Sequence, residues 1–388
     1  MSERTAVIVG AGVAGLSSAF WLKEIGWTPI VVERAASVRS NGYMMSLSGP
    51  GHAAAKRMGI LDRLEAIRRP AAETIYRDRH GSELLRLQHA HLIESFPYIV
   101  LRRTDLLKVL FERASQHAEF RFSTEVASIN NGEHFARVTL TDGSIIDAAL
   151  VIGADGFRSP TRRMLFGPDD RFVKPLGYRF AAYDVDDRVS LGANFLAYAA
   201  PARISEFYSL DEGRLAALHV WRSGNLQESL PAYAELEKVF SDEHDQVRAV
   251  MGLARQSGVL PILDDLAIVD MDRWSLKRVV LLGDAAHCFS LISGQGAGMA
   301  MTGACVLAEE LARTTSQAEA LTAYEARMRG PAQRLQTRSR NVARWFVPKT
   351  TIGFKLRNLI LQNMPASMLR NYLRKSVQSD VLAAEGAL

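Results

Sequence analysis

Cysteine is scarce: the 388-residue chain holds only Cys288 and Cys305. Neither falls in a Cys-x-x-Cys or other zinc-like spacing, so neither a disulfide framework nor a structural zinc is expected, and a reducing, cytoplasmic setting fits. Long apolar runs are also missing, and no stretch approaches the ~20 residues that a bilayer-spanning helix needs. The apolar run at 6–16 is broken by Gly10, Gly12 and Gly15 and is followed by no small-residue cleavage site. It reads as a strand and turn, not as a secretory signal. Charge of one sign is not in large excess, with 47 Lys and Arg against 42 Asp and Glu. The basic residues are dispersed with no aromatic-interleaved run, so the net +5 suits small anionic ligands better than nucleic acid. Internal repeats and low-complexity tracts are absent too. What remains, 48% hydrophobic and 23% charged residues, is a globular balance, and the length exceeds one ordinary domain.

Along the chain, residues 5–9 read as a buried strand, 16–25 as a helix ended by Gly26, and 29–32 as a second buried strand closed by Glu33. Asn131-Gly132 and Asp142-Gly143 punctuate alternating strands at 137–140 and 144–147, a hairpin signature, before a buried run at 149–153. The middle, 172–269, holds strand-like pieces at 177–185, 194–199 and 215–221 and a polar helical stretch at 231–253. A buried strand returns at 279–282, a long helix follows at 294–313, and amphipathic helical segments close the chain at 333–345 and 352–375.

Gly10-Ala11-Gly12-Val13-Ala14-Gly15 is a GxGxxG turn between the first strand and its helix. The first glycine permits the tight turn, the second admits a pyrophosphate, and the third lets helix and strand pack closely. Phosphates would sit at a helix N-terminus, and the carboxylate of Glu33 could take the ribose hydroxyls. This fingerprint does not distinguish FAD from NAD, since both carry adenosine diphosphate.

Two later motifs separate them. Gly153-Ala154-Asp155-Gly156-Phe157-Arg158-Ser159-Pro160-Thr161-Arg162 resembles the DG motif, and Val280-Leu281-Leu282-Gly283-Asp284-Ala285-Ala286-His287 the GD motif, of the class A, p-hydroxybenzoate hydroxylase-type flavoprotein monooxygenases. The resemblance implies FAD, with Asp284 on a ribityl hydroxyl and the helix opening at Gly294-Gln295-Gly296-Ala297 beneath the flavin pyrimidine. Arg103 matches the arginine that opens a helix beside the ribityl and pyrophosphate, and Arg39 with Gly42 the loop after the second strand. Arg34 and Val126 complete the cofactor candidates. The loop after the GD motif departs from the common pattern, with Leu291 where proline is usual and Gly298 and Gly303 where asparagine and aspartate are usual. That variant is similar to the subgroup of tetracycline-inactivating and polyketide-tailoring monooxygenases, as is the helix at 352–375.

The fold class expected is α/β: a discontinuous Rossmann-like FAD-binding domain (1–75, 101–171, 270–335), an inserted, mostly antiparallel β-sheet substrate domain (76–100, 172–269), and C-terminal helices (336–388). The resemblance implies a monooxygenase that uses NADPH or NADH as a transient co-substrate and delivers oxygen from a C4a-hydroperoxyflavin to an aromatic or polycyclic substrate. The nicotinamide is expected near Arg158 and Arg162, because only one dinucleotide fingerprint is present. Molecular oxygen is the second co-substrate, no catalytic side chain is singled out, and the chain is expected as a monomer or weak homodimer. Two alternatives stay open: a flavin reductase without oxygen insertion, and a flavin-containing resistance protein that sequesters a ligand. A halogenase is not expected without a Trp-x-Trp-x-Ile-Pro segment. Tyr198, His219 and Trp221, on the middle strands, are candidate substrate contacts. His89-Ala90-His91 could present two imidazoles to a metal, but no third ligand is evident and no metal is expected. Arg370, Arg374 and Lys375 beside Leu369 and Leu373 could mark a membrane-surface helix, although packing between domains fits the short segment better.

Overall fold

The computed structural model describes residues 4–38, 43–69, 73–88, 97–187, 195–210, 213–223, 230–365 and 368, apart from the side chains of 342–344 and 346. Arg39, Gly42, His89, His91 and the basic cluster at 370–375 lie outside these residues.

The strand Thr5–Val9 sits inside a six-stranded sheet whose order is Ser275–Leu276, Val279–Leu281, Leu150–Gly153, Thr5–Val9, Thr28–Val32, Glu119–Arg121. All neighbours are parallel except the short first strand. Parallel strands are covered on both faces, which is why they read as continuous apolar runs. Ala6, Ile8 and Val31 pack on one side with Leu16 and Phe20 of the helix Val13–Glu24 and with the helix Gly296–Arg313. Val7, Val9, Ile30 and Val32 face a three-stranded antiparallel sheet through Val126, Val138 and Leu140.

The second body is a seven-stranded sheet, Ile262–Val269, Val173–Asp186, Arg214–Arg222, Arg203–Ser209, Phe195–Ala200, Glu73–Arg77, Glu83–Gln88. It is antiparallel except where Phe195–Ala200 meets Glu73–Arg77. One face is closed by the helices Ala232–Val239 and Asp245–Gln256; the latter buries Val247, Val250, Met251 and Ala254 at helical spacing. The strand Tyr98–Arg102 leaves this sheet, contrary to the expected 76–100 boundary, and pairs with Met44–Ser48, a strand that sequence reading passed over. The architecture is therefore a discontinuous Rossmann-like domain with an inserted, mostly antiparallel sheet.

The segment at 333–345 is not a separate helix. It is the second half of Gln317–Phe346, which runs through Pro331. A mid-helix proline removes one backbone donor. Here Tyr324, Met328 and Ala332 on either side are fully packed, and Gln336 Nε2 donates to Val269 O at 2.5 Å, so tertiary contacts hold the helix through it. The C-terminal helix spans Thr351–Gln362, capped by the Thr350 hydroxyl accepting from Gly353 N. No helix among the described residues is long and apolar enough to cross a membrane.

Candidate flavin and substrate site

The glycine turn is built as its spacing demands. Gly10 adopts φ +103°, and a Cβ there would meet Ala154 O at 2.7 Å; one on Gly15 would lie 1.9 Å from Gly10 O. Gly12 is different, because its missing Cβ opens on empty space. The helix Val13–Glu24 starts there with no capping side chain and no acid in its first turn, so its first N–H groups are free to meet an anion. Glu33 braces the turn: Oε2 accepts from Ala11 N at 2.8 Å and Oε1 from Ala35 N at 2.9 Å.

These groups open into a cavity of about 570 Å3 lined by Gly10, Gly12, Glu33, Arg34, Val126 and Asp155, with Gly156 and Arg103 at one end. Asp155 Oδ2 accepts from Thr161 N at 2.8 Å, whereas its buried Oδ1 has no protein partner. Burial raises the Asp155 pKa, with bonds from Ser159 and Thr161 opposing the shift. A second cavity, about 420 Å3, shares Gly12, Arg103, Ala154 and Gly156 with the first. The two form one continuous trough.

Val13, Ala14, Asp284, Gly294, Gly296 and Ala297 line the second cavity. The Asp284 side chain is exposed and opens on the cavity; desolvation raises its pKa and the Arg103 charge lowers it. Arg103 donates its backbone N–H to Tyr43 O at 3.0 Å and holds its guanidinium over the Tyr43 ring at 5.9 Å. The helix Gly296–Arg313 begins at this wall without a side-chain cap. Gly15 and Gly283 line neither cavity: they permit close packing behind it, and a Cβ on Gly283 would come within 2.9 Å of the Ala14 Cβ.

Expectations for four residues fail on geometry. Tyr198, His219 and Trp221 do not reach the cavity; all are almost fully buried on the opposite face of the seven-stranded sheet. His219 is hydrogen-bonded to Tyr183 and Ser205, each at 2.8 Å, and Tyr198 donates to Gln246 at 2.6 Å. Their strand neighbours Phe195, Leu218 and Val220 face the cavity, with Glu206 and Tyr208 from Arg203–Ser209. A period of two places successive side chains on opposite faces but does not say which face is which. Arg162, expected near the nicotinamide, is fully buried and held by Asp169, Phe157 O and Ala285 O. Arg158 is exposed and paired with Asp264 at 2.6 Å. No group of three His, Cys, Asp or Glu among the described residues could hold a metal.

The family described as FAD binding domain matches residues 3–339. The chain belongs to this FAD-binding family. Among its relatives, an uncharacterised protein of Mycobacterium tuberculosis is 31% identical over 316 residues, covering 79% of this chain and 85% of that protein. A flavin-dependent monooxygenase from an unknown prokaryotic organism is 29% identical, covering 82% and 83%. The crystal structure of the tetracycline destructase Tet(51) superposes with a TM-score of 0.80 at 26% identity, over 95% of this chain and 98% of that one. The protein is a class A flavoprotein monooxygenase, and its cofactor is FAD. The orphan Asp155 oxygen, the glycine cradle and the two uncapped helix starts on one trough all suit this cofactor.

Proposed function

We propose that the protein draws electrons from NADPH or NADH and inserts one atom of molecular oxygen into an aromatic or polycyclic small molecule of polyketide- or tetracycline-like kind. The observation that carries this reading is the placement of an apolar and aromatic wall, Tyr98, Phe195, Tyr208, Leu218 and Val220, in the same cavity as the helix start at Gly296. A flat ring fits against such a wall, and few polar groups are needed to orient it. The name of the Tet(51) relative supports the substrate class.

FAD, when bound, supplies electron transfer to oxygen and delivery of the oxygen atom. The chain would hold it with residues already in place. Gly12 and the first N–H groups of Val13–Glu24 would take the pyrophosphate, Glu33 with Arg34 the adenosine side, Asp155 and Arg103 the middle, and Asp284 the ribityl chain. The uncapped start of Gly296–Arg313 favours negative charge on the flavin pyrimidine by a fraction of a kcal/mol to about 2 kcal/mol. The sheet face over the cavity excludes water from the reacting atoms. Turnover under 18O2 with NADPH or NADH and a panel of phenols and fused-ring polyketides tests the reading. One 18O per product molecule is expected; product reduced but unlabelled would replace it with a flavin reductase.

A further inference from the structure

We infer that Glu206 and the tyrosines around it form an anchor for an organic cation, so that the substrate is an aromatic compound carrying a protonated or quaternary amine. This inference deepens the proposed function and rests on its placement of substrate in the cavity of about 420 Å3.

Glu206 lines that cavity and is only 6% exposed. The Tyr208 hydroxyl stands 3.5 Å from it, a long contact, and no arginine or lysine forms an ion pair with it among the described residues. The cavity's two arginines are directed elsewhere, Arg69 to Asp105 at 3.5 Å and Arg103 over Tyr43. A buried carboxylate without a cation is costly, and proteins rarely keep one without use.

Its surroundings are aromatic by construction. In the sheet register, Tyr76 lies opposite Ala197, Ala197 opposite Glu206, and Glu206 opposite Leu218, so all four side chains share the cavity face. Ala197 is small and lets the Tyr76 phenol act on the carboxylate across it. Tyr208 stands two residues along the same strand, edge-on to Phe195 with ring centroids 4.1 Å apart. Tyr98 closes the group from the neighbouring two-stranded sheet. One carboxylate among electron-rich rings is the chemistry that recognises an ammonium ion: the rings offer their faces and the acid the counter-charge.

The protonation state agrees with this. Burial lifts the Glu206 pKa to about 7, so without a cation the acid is partly neutral at neutral pH. The groups facing it are Tyr208, Tyr76 and Tyr98, all pushed above the ordinary phenol range by burial and therefore protonated; Arg357 lies behind Tyr76 on the helix Thr351–Gln362. A cation entering this group would draw the proton off Glu206, and binding would release protons.

The test uses the FAD-loaded protein and two isosteric probes, 2-(4-hydroxyphenyl)ethyl-trimethylammonium and the neutral 4-(3,3-dimethylbutyl)phenol, followed by calorimetry at pH 7 in buffers of different ionisation enthalpy. The cation is expected to bind at least tenfold more tightly and with proton release. Glu206→Gln should abolish both the preference and the release, and Tyr208→Phe should keep them. Equal affinity, a preference for the neutral probe, or no binding of the cation at millimolar concentration in the unaltered protein overturns the inference, whether or not a variant folds. Because binding is read without turnover, a failure of 18O insertion with the cation preference intact would sink the oxygenase reading alone.

Discussion

Burial sets the charge of two histidines in ways that stability can report. His219 has its pKa pushed down to about 3 and His287 to about 4, both by desolvation, from an ordinary value of 6.5. Because the folded values lie below the unfolded one, the unfolded chain takes up protons first on acidification. The stability these residues provide is complete above pH 6.5 and declines as pH falls toward 4 and 3. His287 packs between Trp274 and Phe289, and neither ring nitrogen has a partner. His287→Phe should therefore change stability at pH 7.5 by less than about 1.5 kcal/mol and flatten its decline between pH 6.5 and 4, as measured by urea unfolding across pH. His219 is the opposite case. Its loss strands the Tyr183 and Ser205 hydroxyls in a dry core, so His219→Ala should cost about 2–4 kcal/mol. Substrate affinity of the folded enzyme should stay unchanged, and a rise in KM with unaltered melting would return His219 to the pocket.

Between elements, the helix Gly296–Arg313, whose start lines the cavity, is tied down by charge as well as by packing. Glu309 on Gly296–Arg313 is 2% exposed and pairs with Arg57 of Pro50–Arg57 and Arg327 of Gln317–Phe346, both at 2.7 Å. The two arginines outweigh desolvation and hold its pKa below the usual carboxylate range, so this contribution is lost as pH falls through that range. Arg327→Leu leaves the buried carboxylate one partner short and should cost about 2 kcal/mol in chemical denaturation. A variant as stable as the parent would show that Arg57 alone satisfies the acid. The Gly51 and Gly298 backbones cross within about 3 Å of an added Cβ, which is how Pro50–Arg57 comes close enough for its arginine to reach Glu309.

At the scale of the molecule, the dinucleotide trough runs from the six-stranded sheet to the seven-stranded one, so cofactor and folding are linked. FAD at about a hundred times its dissociation constant should add about 2.7 kcal/mol to unfolding, visible as a rise in Tm on reconstitution of apoprotein. Gly15→Ala, whose methyl would collide with Gly10 O, should remove that rise and leave the protein colourless. A yellow Gly15→Ala protein with the full increment would show that the turn can shift to receive a side chain.

The sequence by itself determined the glycine turn and the acid that closes the second strand: Gly10, Gly12 and Glu33 answer local backbone demands whose spacing cannot vary much. Asp155 and Asp284 are singled out through the family resemblance of their motifs, and the structure places both on the walls of the trough. Only the tertiary structure decided the substrate end. Tyr198, His219 and Trp221 alternate with Ala197, Leu218 and Val220 on the same strands, and either set satisfies the periodicity. The helices 232–239 and 245–256 pack on the first set and turn the second toward the cavity side of the sheet. Glu206, the cavity acid that has no ion-pair partner among the described residues, carries no local signature, since its environment is assembled from strands more than a hundred residues apart in the chain.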